Sequence, residues 1–149
     1  MIKFRAWDRE ANIMIYSDHR TRKLYDVYYG FEMNEKGELE CCWEGDFTES
    51  HVLDGGTLDN IMQSTGLKDK NGVEIYEGDV VKLTEKTING GIDTHTCKVF
   101  QSKSGSWRLG GRPDFSREYT TMRELYSVRS RTEVIGNIYE NPELMEVQE

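Results

Sequence analysis

The stretch Val27-Tyr28-Tyr29-Gly30-Phe31-Glu32-Met33-Asn34-Glu35-Lys36-Gly37-Glu38-Leu39-Glu40-Cys41-Cys42-Trp43-Glu44 decides the fold class. Val27, Tyr29, Phe31 and Met33 alternate with Tyr28, Gly30 and Glu32, the two-residue period of a strand. Asn34 opens a turn, and Gly37 supplies the positive φ that such a turn needs. On the return, Leu39, Cys41 and Trp43 share one face, while Glu38, Glu40, Cys42 and Glu44 take the other. The pattern predicts a half-buried β-hairpin with Cys41 inward and Cys42 outward.

The same signature recurs on both sides. Ile2, Phe4 and Ala6 alternate on a first strand, residues 8–12 are polar and turn-like, and Ile13-Met14-Ile15-Tyr16 returns. After Gly55-Gly56, Thr57 reads as a helix N-cap, with Leu58, Ile61 and Met62 at helical spacing and Gly66 at the C′ position. The expectation there is a two-turn helix over 57–66. Asn71-Gly72 is a strong hairpin signal ahead of Val73-Glu74-Ile75-Tyr76, and Glu77-Gly78-Asp79 turns the chain into the strand 80–83. Further strands are expected at 94–101, 106–109 and 133–139, with loops at 87–93 and 110–116. Thr121-Met122-Arg123-Glu124 is a capping-box pattern before Leu125 and Tyr126, and Asn141-Pro142 can cap a last helical turn. Many short strands joined by turns predict a mainly β chain. Its expected form is an N-terminal hairpin region, 1–56, and a small rolled or SH3-like barrel with one to three short helices over 57–149, together one compact unit.

Bulk properties agree with a modest core. Hydrophobic residues are 36% of the 149 and charged residues 31%, but aromatic residues reach 11% and bury a large area each. No apolar run is long enough to cross a bilayer, and residues 1–5 have no apolar signal core behind their basic side chains. Three cysteines, an odd number with two adjacent, do not form a secreted disulfide framework. A soluble protein of the bacterial cytoplasm is expected, without a membrane partner.

Candidate chemistry is thin. His95 and Cys97 would share a strand face, and Cys41, Cys42, His19 and His51 could be recruited to a metal, yet no C-x-x-C or H-x-x-x-H pair exists. The plainer reading makes Cys41 and Cys97 small core residues and leaves the histidines on the surface, so no metal or cofactor is expected. There is no G-x-S-x-G elbow, and the glycine pairs 55–56, 90–91 and 110–111 lack phosphate-loop context. Glu77 and Asp79 flank a turn glycine and read as a solvated turn. No catalytic residue is expected, and the chain is read as a non-enzyme.

Charge is the one uneven feature. Between 98 and 131 eight basic residues face three acids, a net +5, so with the chain at −8 the remainder carries −13. The basic stretch interleaves Trp107, Phe115, Tyr119 and Tyr126 with cations, as single-stranded nucleic-acid binders do. The candidate contact set is Lys98, Lys103, Trp107, Arg108, Arg112 and Arg117. The alternative puts Trp107 and Tyr126 in the core, with the arginines solvated or paired to acids within the molecule or across a subunit interface.

Three stretches taken together resemble a known family: Ile2-Lys3-Phe4-Arg5-Ala6-Trp7-Asp8; Thr65-Gly66-Leu67-Lys68-Asp69-Lys70-Asn71-Gly72-Val73-Glu74-Ile75-Tyr76-Glu77-Gly78-Asp79; and Val134-Ile135-Gly136-Asn137-Ile138-Tyr139-Glu140-Asn141-Pro142-Glu143-Leu144. They are similar to the YopX family of phage and prophage proteins. The resemblance implies an intracellular, mainly β protein of phage or prophage origin, with no assigned activity and no catalytic residues to carry over. Its glycines also have structural work to do: tight turns at Gly72 and Gly78, and close backbone approach at Gly136. Two functions are expected in order: an accessory module acting through an unidentified protein partner or as a homo-oligomer, then a nucleic-acid-binding module using 98–131.

Overall fold

The computed structural model describes residues 3–9, 12–18, 23–24, 27–45, 56–58, 61–110 and 123–145. The chain is mainly β and divides into two compact units, 1–63 and 64–149.

In the first unit, β1 (Phe4–Asp8) pairs antiparallel with β2 (Ile13–Tyr16), Ala6 opposite Ile15. On its other side β1 pairs with residues 61–63 of β7 (Ile61–Lys68). A second sheet runs in the order β3 (Lys23–Leu24), β4 (Val27–Met33), β5 (Leu39–Gly45), β6 (Gly56–Leu58). The expected hairpin is present in its expected register, Phe31 opposite Cys41 and Met33 opposite Leu39. Ala6, Ile15 and Cys41 form the buried centre, with Ile13, Phe31 and Ile61 packed against it. Cys42 lies on the opposite face, its thiol 3.1 Å from Glu32 Oε1.

The expected helix over 57–66 is not formed: the described part of that segment is strand, β6 and then β7. Burial along β7 alternates, with Met62 and Ser64 inside. The buried polar Ser64 hides this alternation from a hydrophobicity reading, and ladder bonds to β1 outweigh weak local helix preference. Gly66 does adopt positive φ, +75°, but inside a strand whose register shifts between Ser64 and Lys68. Arg5, a residue of β1 between β2 and β7, is buried. It therefore does not blunt an exposed edge as its charge suggests.

In the second unit, residues 64–68 of β7 pair with β8 (Glu74–Tyr76). A curled, half-barrel sheet follows. Its strands are β9 (Asp79–Lys86), β10 (Ile92–Gln101), β11 (Trp107–Gly110), β12 (Arg123–Glu124) and β13 (Thr132–Asn137). Their spatial order is β12-β11-β10-β9-β13, antiparallel throughout. Ile75, Val81, Leu83, Cys97, Val99, Leu109, Leu125 and Val128 form the core. Each such aliphatic side chain, fully buried, contributes roughly 1.5–3 kcal/mol.

The short helix α1 (Leu125–Val128) buries Leu125 and Val128. Its N-cap is Glu124, without a side-chain cap bond, so the capping box expected at 121–124 does not start it. Arg129–Arg131 and Pro142–Met145 are single 3-10 turns, the latter where Asn141-Pro142 was expected to start one. The loop expected at 110–116 lies outside the described residues beyond Gly110.

Candidate functional site

Residues from two of the three stretches that carry the family likeness, 65–79 and 134–144, come together as a brace on the sheet edge. Residues 69–73 form a five-residue turn: Asp69 N–H donates to Val73 O at 2.8 Å, Gly72 N–H donates to Asp69 O at 3.0 Å, and Gly72 has φ +81°. Asp69 is 7% exposed, and Oδ1 accepts from the backbone N–H groups of Asn71 and Val73, each at 2.9 Å. Its Oδ2 accepts from Val134 N–H at 2.9 Å, sixty-five residues away. Beside it Lys70 N–H donates to Thr132 O at 3.0 Å. The turn thus satisfies edge groups of β13 that a neighbouring strand would otherwise take.

The next turn is built in a similar way. Gly78 has φ +85°, its N–H donates to Val99 O at 2.9 Å, and its carbonyl accepts from Ile138 N–H at 2.9 Å. Asp79, expected on a solvated turn, is buried, and its Oδ2 accepts from Tyr76 N–H at 2.7 Å. Further along, Asn137 Oδ1 accepts from Tyr139 and Glu140 N–H at 3.0 and 2.8 Å. A Cβ on Gly136 would collide with Asn141 Oδ1, and would lie 2.9 Å from Leu144 Cδ1. These motif residues shape backbone.

Of the expected nucleic-acid contacts, Lys98 and Arg108 share the outer face of the sheet and Trp107 lies on the inner one. Lys98 is exposed between the buried Cys97 and Val99, so it projects from the outer face of the sheet. Arg108 is opposite Phe100 on β10 and Glu124 on β12, and its Nε donates to Ser106 Oγ at 3.2 Å. Lys103 is exposed in the turn 102–106. Trp107 packs against the core cluster, on the face opposite to Arg108. Tyr126, an alternative core residue on sequence grounds, is 59% exposed, and the Arg129 guanidinium lies 4.1 Å from its ring centroid. Arg112 and Arg117 lie outside the described residues. The half-buried Phe100, between the outward Lys98 and the opposed Arg108, is the aromatic that sequence reading passed over; strand parity from Lys98 would have found it.

An open groove of about 380 Å³ is lined by Lys70, Thr84, Glu85, Lys86, Ile92 and Arg131. Lys70 comes from the braced turn, the next three from the end of β9, Ile92 from the start of β10, and Arg131 from the 3-10 turn before β13. Ile92 is 70% exposed, and Ile88 in the adjoining turn is fully exposed. Three cations and one carboxylate line the groove, with Lys70 in an exposed pair to Glu133 at 3.6 Å and the half-buried Glu85 3.9 Å from His95 Nε2. A solvated pair such as Lys70–Glu133 contributes about 0–1 kcal/mol and breaks readily for a partner. Sequence reading missed this groove because its lining converges from four separate segments and only the fold joins them.

Of the candidate metal ligands, His19 and His51 lie outside the described residues. Cys41 and Cys97 are buried, and burial, then Cys42, then Asp8 push the Cys41 thiol up to about 12. Among the described residues no group of three or more His, Cys, Asp or Glu is placed to hold a metal ion. Nor, among them, is any helix long and apolar enough to cross a membrane.

These features define a mainly β, hairpin-built protein whose signature residues brace a half-barrel. The chain belongs to the YopX family: the family described as YopX protein matches residues 3–146. It is similar to the crystal structure of protein EF1440 from Enterococcus faecalis, with 28% identity, a TM-score of 0.53, and coverage of 98% of this chain and 99% of that one. No curated protein matches it.

Proposed function

We propose that this protein is a non-enzymatic interaction module, acting inside a bacterial cell as a phage or prophage accessory protein, and that the groove of its second unit is the docking surface. The reading is supported above all by Ile92, an apolar side chain left 70% exposed in a groove otherwise lined by polar and charged residues. An apolar anchor ringed by charge is the usual anatomy of a protein contact. With Lys70, Lys86 and Arg131 around it, the groove suits a segment that places an apolar side chain among carboxylates.

Panning a random peptide library on the immobilised chain tests this. An acidic consensus around one apolar residue, lost in Ile92→Glu, is the expected outcome. A chain that selects no consensus, or the same one after that substitution, contradicts the reading.

A second reading, nucleic-acid binding through 98–131, draws on Phe100 with the outward Lys98 and the opposed Arg108. It requires oligonucleotide anisotropy that falls steeply with salt and is lost when Lys98, Arg108, Arg112 and Arg117 are replaced by Gln. No binding at low salt removes it.

A further inference from the structure

Resting on the groove as a protein-docking surface, we infer that its occupant is the β4–β5 hairpin of a second copy of this chain. The hairpin end presents Met33, 62% exposed, as a lone large apolar side chain. The tip beside it carries Glu35 and Glu38 against a single cation, Lys36, and Glu32 and Glu40 lie on the face of the hairpin opposite to Met33. That composition is the complement of the groove, which offers exposed Ile92 among Lys70, Lys86 and Arg131, with Ile88 exposed in the adjoining turn.

The hairpin carries a cost that such a partner relieves. Glu32 and Glu40 are directly opposite in the β4–β5 register, a like-charge pair that destabilises a ladder. Within the hairpin, Asn34 Nδ2 donates to Glu40 Oε1 at 2.7 Å and to Glu38 Oε2 at 3.3 Å. An amide carries no charge, so these two bonds leave the carboxylates' charge in place. A groove that takes the hairpin end-on supplies cations to its acidic face and an apolar contact to Met33 on the other face. Two different surfaces meet, so the contact is heterologous: it either closes into a ring or reciprocal dimer, or propagates as an open chain.

The test uses the full chain in sedimentation velocity, over a concentration series, with two charge-reversed variants at exposed positions. One carries Lys86→Glu with Arg131→Glu, the other Glu35→Lys with Glu38→Lys. The wild type should show a mass that rises with concentration. Each variant alone should associate about ten-fold or more weakly, since like charges then face each other across the contact. An equal mixture of the two should recover association, because a basic hairpin then meets an acidic groove and the unaltered pair also matches. A wild type that stays monomeric throughout, variants that associate as well as the wild type, or a mixture that recovers nothing would each overturn the inference. Peptide panning separates the two levels: a groove that selects acidic peptides on a monomeric chain keeps the docking reading and loses only the second copy as occupant.

Discussion

Two turns in this molecule are nearly the same object put to different uses. In 34–38 and in 69–73 the first residue's N–H donates to the fifth carbonyl at 2.8 Å, and the glycine at the fourth position donates back at 3.0 Å. Gly37 and Gly72 have φ values of +80° and +81°. In each turn the first side chain's Oδ1 accepts from the third and fifth N–H groups at 2.9 Å. The remaining side-chain atom differs. Asn34 has a nitrogen there, a donor, and it reaches carboxylates of its own hairpin. Asp69 has an oxygen, an acceptor, and it takes the Val134 N–H of a strand sixty-five residues on. One atom decides whether a turn stays local or ties two distant segments together.

The contrast accounts for two of the three stretches that resemble the YopX family, 65–79 and 134–144. Those stretches hold the brace and the strand it braces, so they report architecture. The surface proposed for recognition includes Ile92, Lys86 and Arg131, all outside those stretches, with only Lys70 shared.

Removing the Asp69 carboxylate should do the most damage. Asp69→Ala strips acceptors from three backbone N–H groups, one joining distant strands, and should lower stability by about 3 kcal/mol or more in urea unfolding. Next is the far end of the same strand. Gly136→Ala drives a methyl into Asn141 and Leu144 and should cost about 1–3 kcal/mol, read in the same way. The local turn should respond least of the three. Asn34→Ala loses only bonds within an exposed hairpin and should cost about 1 kcal/mol or less. If Asn34→Ala proves as costly as Asp69→Ala, the contrast between local and bracing turns fails.

A smaller effect concerns Cys41, whose pKa rises from 9.0 to about 12 on folding. Its contribution is fully present below pH 9.0 and is lost as pH climbs toward about 12, because the unfolded chain ionises the thiol first. Urea unfolding should therefore fall less steeply with pH over that window in Cys41→Ala than in the wild type. At neutral pH iodoacetamide should label the half-exposed Cys42 well before Cys41.

Much of the β pattern could be read from residue order. Gly37, Gly72 and Gly105 mark turns because few other residues accept positive φ, and the alternation from Val27 to Trp43 sets a register that the hairpin keeps. The segment 57–66 was misread because its decisive partner, β1, lies some fifty residues earlier, and pairing across that distance leaves no local trace. Asp79 looked like a solvated turn acid for a similar reason: burial comes from the packing around it. The groove was illegible because Lys70, Lys86, Ile92 and Arg131 share no spacing rule, and composition alone could not tell that Trp107 faces the core while Lys98 and Arg108 face outward.

The most direct test of the brace is native-state hydrogen exchange at the Val134 amide in Asp69→Asn. That substitution keeps the turn oxygen but can place an N–H donor against the Val134 N–H, so it separates the long-range bond from the local ones. Protection at Val134 should fall by about ten-fold or more, the equivalent of about 1.4 kcal/mol, while Gly72 keeps its turn bond. Unchanged protection at Val134 together with an unchanged urea midpoint would contradict the assignment of Asp69 as the residue that ties the hairpin to β13.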